Sequence, residues 1–124
     1  MRRCARASAL WLPPVALMAL IFALSSMPTT DMDKGLLEFV ARKLAHFTEY
    51  ALLTFLWWRA LEGRGGTRAI AAAVAIAVAY AITDEYHQTF VEGRVGAVTD
   101  VILDSAGALA AALLIARSRR AVPA

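Results

Sequence analysis

Four times the chain runs apolar for nearly the thickness of a lipid bilayer, with only short polar connections between: Leu10 to Met27, Leu44 to Leu61, Ala69 onward, and Val98 to Ala116. About 20 apolar residues in helical form cross the hydrocarbon core. The third run is apolar only to Thr83, so it reaches that length if the polar residues up to Gln88 continue the helix. In lipid every backbone N–H and C=O must be satisfied within the protein, which leaves helical bundles and closed barrels. No sustained strand-like alternation and no fixed-period repeat occurs, so a barrel is excluded. A hydrophobic content of 60% in 124 residues, with a mean hydropathy of +0.57, is above that of soluble domains. The expected fold is therefore all-α: one domain over residues 1–124, a small polytopic membrane bundle with four transmembrane helices at about 10–27, 44–61, 69–88 and 98–116.

The first run follows a basic stretch, MRRCARAS, as a signal peptide would, but no A-x-A site ends it, and a retained span is expected. Pro13 and Pro14 are expected to begin or bend that helix. Ahead of the second span, Leu36, Val40, Leu44 and Phe47 form an apolar stripe opposite Asp33, Lys34, Glu38 and Arg42, as in an amphipathic helix lying in the interface. Gly63, Gly65 and Gly66 read as a flexible turn, since a phosphate-binding loop would need its strand and its Lys-Ser/Thr. Small residues along the third and fourth runs suit close helix approach. Cys4 stands alone and supports no disulfide or metal framework.

Charge placement orients the bundle. With four spans, Arg2, Arg3, Arg6, Arg59, Arg64, Arg68, Arg117, Arg119 and Arg120 share one side, against Lys34, Arg42, Lys43 and Arg94 on the other. The positive-inside rule then places both termini in the cytoplasm and the loop from Thr89 to Ala97 outside, with Trp57 and Trp58 in the inner aromatic belt. The basic residues thus set topology, and no nucleic-acid partner is implied; the partner is the bilayer.

Against this apolar background, TDEYHQTFVEGRVGAVTD at 83–100 concentrates ionisable groups near the outer face. Lys43, His46 and Tyr50 share one helical stripe, with Glu49 beside it. Asp84, His87 and Gln88 form a second stripe, with Glu85 on a neighbouring face, and Asp100 and Asp104 form a third. Ionisable groups at the edge of a span persist by facing the bundle interior and pairing. Lys43 and Arg94 can neutralise two of the carboxylates Asp84, Glu85, Asp100 and Asp104, and Asp84 is expected to orient Arg94. The bland alternative is a set of solvated interfacial charges, Asp100 serving as a helix-start acid. Three stripes at one depth argue for a shared polar pocket.

KLAHFTEYALLTFL and DEYHQTFVEGRVGAVTDVILDSAGALAAALL together resemble the VanZ-like family of bacterial membrane proteins. The resemblance rests on Lys43, His46, Phe47, Tyr50 and Leu53; on Asp84, Glu85, Gln88 and Phe90; and on Gly93, Arg94, Asp100 and Gly107. Asp104 stands where the family commonly has Asn, and Glu92 where a Pro often precedes Gly-Arg. The resemblance implies a multi-pass protein of the bacterial plasma membrane whose name-giving relative is linked to teicoplanin resistance; it implies no cofactor and no established reaction.

Three functions are open to such a pocket. It can recognise a lipid headgroup, a cell-wall precursor or a lipophilic glycopeptide, with Arg94 as a bidentate fork and Lys43 as a second cation. It can be an enzyme on an envelope lipid or glycan, using His46, Asp84, Glu85 and Asp100 for acid–base work or for a divalent cation that His87 would join, although no G-x-S-x-G or H-E-x-x-H is present. It can relay protons as a transport subunit, although the inner halves of the third and fourth runs offer no polar continuation.

Overall fold

The computed structural model describes residues 2–28, 35–61 and 66–121, with side chains from Cys4 onward in the first segment. Asp33 and Lys34, which the sequence assigns to the interfacial amphipathic helix, and Gly63, Arg64 and Gly65, which it assigns to a connecting loop, lie outside the described residues, as do the side chains of Arg2 and Arg3. The described residues form four helices: α1 Arg2–Ser25, α2 Leu36–Leu61, α3 Gly66–Gln88 and α4 Val98–Ala121. At 23 to 26 residues each, they are about 35 Å long, enough to cross a hydrocarbon core.

Three of the four are apolar as well as long: Cys4–Ser25, Gly66–Gln88 and Val98–Ala121. α2 has the length, but Glu38, Arg42, Lys43 and Glu49 crowd its first half. The large apolar side chains that α1 and α4 present outward, among them Leu12, Leu20, Phe22, Leu109, Leu113 and Leu114, are what a lipid-facing surface requires.

One helix end is as expected and two features depart from expectation, each with a local cause. α3 does continue through Asp84 to Gln88, which supplies the missing length of the third span. The amphipathic segment ahead of the second span is not a separate helix, because from Leu36 to Leu61 there is no Gly or Pro to break it; it is the first part of α2. Pro13 and Pro14 do not begin α1 but lie inside it, and Pro14 is fully buried. A proline within a span is tolerated where neighbouring groups satisfy the backbone it frees.

α2 is the hub, packing against each of the other three helices and most extensively against α4. Its inward residues Tyr50, Leu53, Thr54 and Trp57 recur at helical spacing. Facing them on α3 is a row of alanines at every fourth position, Ala69, Ala73, Ala77 and Ala81, all buried. Without side-chain bulk on that row the helices approach closely, and van der Waals packing replaces the hydrophobic drive that lipid cannot supply. Trp57 turns inward rather than toward the lipid interface and meets Trp11 edge-on, ring centroids 5.6 Å apart.

α2 and α4 also approach closely. A Cβ placed on Gly107 would lie 3.1 Å from the Phe47 carbonyl carbon and nearer still to its oxygen. Both atoms belong to backbone, so neither can swing aside. Gly107→Ala is therefore expected to lower stability by roughly 1–3 kcal/mol through overpacking. Gly35→Ala is the matched control, since nothing lies within 4 Å of that position. Thermal unfolding of the two variants in detergent checks this: equal midpoints would mean that α2 and α4 are farther apart.

Candidate functional site

The first half of α2 carries two polar stripes. Lys43, His46 and Tyr50 look toward α3 and α4. Glu38, Arg42, Ala45 and Glu49, one helical turn apart in succession, line a cavity beside the end of α1. Because both flanks of the helix are polar here, its charges face protein and cavity, while Leu36, Leu37, Phe39, Val40 and Leu44 stay exposed.

Across the α2–α4 seam the pairing is specific. Lys43 Nζ donates to Asp100 Oδ1. One turn deeper, His46 Nδ1 lies 3.3 Å from Asp104 Oδ1, an ion-pair distance without hydrogen-bond alignment. Asp104 is almost completely buried, 1% exposed. Tyr50 follows another turn down, fully enclosed, its hydroxyl without a hydrogen-bond partner among the described residues.

A second network ties α1 to α3. Ser25 Oγ donates to Asp84 Oδ2 at 2.9 Å, and Gln88 Nε2 lies 3.3 Å from both of those oxygens. Asp84, Gln88 and Ser25 are all buried. Glu85, on the adjoining face of α3, accepts from the backbone N–H of Ala97 and so anchors the far end of the 89–97 loop. His87 leaves this cluster and stacks on Phe22 of α1, ring centroids 4.5 Å apart and planes 15° from parallel. Among the described residues no group of three or more His, Cys, Asp or Glu side chains is arranged to hold a metal ion.

Arg94 is held differently from the sequence expectation. Among the described residues its guanidinium takes no carboxylate partner. Nε donates to the Met27 carbonyl at 3.2 Å and Nη2 to the Leu24 carbonyl at 2.9 Å. The last carbonyls of a helix lack intrahelical donors, and a cation there also meets the negative end of the helix dipole, so the end of α1 holds Arg94, while Asp84 pairs through Oδ2 with Ser25 and Gln88 and its Oδ1 has no hydrogen-bond partner among the described residues. Gly93, with φ of +77°, gives the loop the turn that directs Arg94 back over the bundle. Gly96 is required too, because a Cβ there would come within 2.6 Å of the Thr89 side chain.

The cavity between α1, α2 and this loop has a volume of about 770 Å³. Ile21, Leu24, Met27 and Pro28 form its apolar wall; Arg42, His46, Glu49 and Arg94 are on its polar side. A second hollow of about 570 Å³ lies on the other flank of α2, beside Lys43, Gln88 and Asp100, and shares Arg42, His46 and Arg94 with the first. All nine residues expected to form the pocket thus gather at one end of the bundle, although Tyr50, Asp84, Glu85 and Asp104 line neither hollow and lie behind the walls as buried supports. Ser25 and Glu49 complete the arrangement. Ser25 carries no sequence signal beyond its place at the end of a span, whereas the Glu38, Arg42 and Glu49 spacing is readable as a stripe of its own.

The model of the VanZ/LLP1 family matches residues 10–119, most of α1 and α4 and everything between them. No curated protein and no solved structure matches the chain.

The His46–Asp104 contact is expected to behave as a buried pair. His46→Leu leaves the Asp104 carboxylate without a partner in the interior and should cost about 3–5 kcal/mol, while the double variant His46→Leu/Asp104→Leu should recover most of that loss. Thermal unfolding of both single variants and the double decides it. Additive losses would show that the two side chains do not interact.

Proposed function

The chain belongs to the VanZ/LLP1 family, and on that premise we propose that it is a recognition module of the bacterial plasma membrane, with both termini cytoplasmic and its polar cavity opening outward. It binds an amphiphilic envelope component, either a lipid headgroup, a cell-wall precursor or a glycopeptide, and through that binding contributes to resistance to teicoplanin-type antibiotics. The observation that carries the reading is the cavity of about 770 Å³, walled by apolar side chains of α1 on one side and by Arg42, His46, Glu49 and Arg94 on the other. A few placed polar groups beside an apolar surface are the usual composition of a small-molecule site. Arg94 suits the task because two of its donors fix it to the end of α1. The other three N–H donors remain for an anion.

A second reading, an enzyme acting on an envelope lipid or glycan, draws on His46, which lines both hollows with Asp104 behind it. A carboxylate that orients an imidazole is a common element of general-base catalysis. Turnover of isoprenoid phosphates or phospholipids by the purified protein separates this reading from recognition alone.

Orientation is checked by cysteine accessibility. A single Cys at Glu92, with Cys4 replaced by Ser, should react with an impermeant maleimide in intact cells; labelling only after permeabilisation would reverse the topology and turn the cavity inward.

For the site itself, Arg94→Ala, Arg94→Lys and Asp84→Asn are compared at matched membrane levels in a host where the wild type lowers glycopeptide susceptibility. Arg94→Ala should abolish the effect. Arg94→Lys should lose most of it, because one ammonium cannot bridge two carbonyls and still present a planar fork to a ligand. Asp84→Asn should weaken it by loosening Ser25 and Gln88. A surface contact of no consequence would cost about 0–1 kcal/mol and leave all three at wild type, which would reject the recognition reading.

A further inference from the structure

The charges around the larger cavity do not cancel, and their remainder has a particular form. Glu38 and Arg42 lie 3.9 Å apart as an i, i+4 pair, and each has a further interaction besides. His46 is taken up by Asp104. Glu92 is on the exposed rim, facing solvent. Among the described residues two groups are left. Arg94 keeps its positive charge, because its partners are neutral carbonyls. Glu49 lines the cavity half-buried and makes no hydrogen bond or ion pair among the described residues. One cation and one anion therefore face the same space, beside the apolar wall of Ile21, Leu24 and Met27.

We infer that the ligand is a zwitterionic amphiphile of the phosphatidylethanolamine class, its phosphate on Arg94, its ammonium on Glu49 and its acyl chain along α1; this rests on the recognition reading above. A purely anionic headgroup satisfies Arg94 but buries Glu49 further with no counter-charge, which is costly away from water. A purely cationic one has the opposite defect. A primary ammonium offers three donors to Glu49, and the phosphate matches the fork of Arg94. The apolar wall explains why the ligand should be an amphiphile rather than a free zwitterion: Leu20, Phe22 and Leu24 of the same helix are exposed, so a chain leaving the cavity passes onto a surface made for lipid. A lipophilic glycopeptide bears an amine and a carboxylate and has the same chemistry from another source.

The test is calorimetric titration of the purified full chain in detergent with dihexanoyl phosphatidylethanolamine, dihexanoyl phosphatidylglycerol and teicoplanin. Phosphatidylethanolamine should bind roughly tenfold tighter than phosphatidylglycerol, the yield of one charge-assisted contact. Glu49→Gln should abolish the preference, weakening the ethanolamine lipid and tightening the glycerol lipid, because the uncompensated carboxylate is gone, whereas Arg94→Lys should weaken both. Equal affinities for the two lipids in the wild-type protein would overturn the zwitterion assignment while leaving headgroup recognition in place. Glu49-dependent binding of teicoplanin without binding of phosphatidylethanolamine would overturn the lipid assignment. Binding of none of the three would remove the recognition reading together with this inference. Should Glu49→Gln fail to fold, the wild-type comparison of the two lipids decides alone.

Discussion

The backbone contact between Gly107 of α4 and Phe47 of α2 sets the distance on which the polar end of the bundle depends. His46 and Asp104 are on the turns beside that contact, and Lys43 and Asp100 one turn beyond. With a larger residue at 107 the helices would part, and the buried carboxylate of Asp104 would lose the imidazole that approaches it. The apolar half of the same seam, with Ala108 and Ala111 on α4, keeps the axes close along their length. Small residues here thus have an electrostatic effect as well as a packing one: they bring two acids within reach of a lysine and a histidine, and at Asp104 they do so where solvent cannot substitute.

Much of this was legible in the sequence, for physical reasons that apply unevenly. Helix content and number follow from apolar run length, because lipid permits few alternatives to a helix. The gathering of Lys43, His46, Asp100 and Asp104 follows from helical register combined with the cost of stranding charge. The partner of Arg94 did not follow, since register says which side of a helix a residue occupies and nothing about a side chain carried by a loop. Arg94 met backbone carbonyls, which are present in every helix end and leave no trace in residue types. Ser25 was hidden for a similar reason. A lone serine at the end of a span is ordinary until the opposing helix is known to place Asp84 against it.

Trp57 illustrates the limit of positional rules. A tryptophan near a span end suits the membrane interface, but the small residues of the neighbouring helices leave room at that level, and the indole fills it against Trp11. The charged stripes on α2 illustrate the reverse. Residues such as Glu38 and Arg42 look like the solvent side of an interfacial helix, yet continuity with the rest of α2 turns them toward the cavity beside α1.

That charges crowd the first half of α2 also bears on how the protein is made. The residues that neutralise it come from later in the chain: Lys43 is synthesised well before Asp100, and His46 before Asp104. On the translocon scale a lysine, arginine or aspartate at the centre of a helix costs about 2.5–3.5 kcal/mol, less toward its ends. Until α4 emerges from the ribosome, α2 has only α1 and then α3 to shelter its charges, so its hold on the bilayer is provisional. The last helix made completes the second one, and a chain stopped before α4 would leave its central helix open to retrieval by quality control.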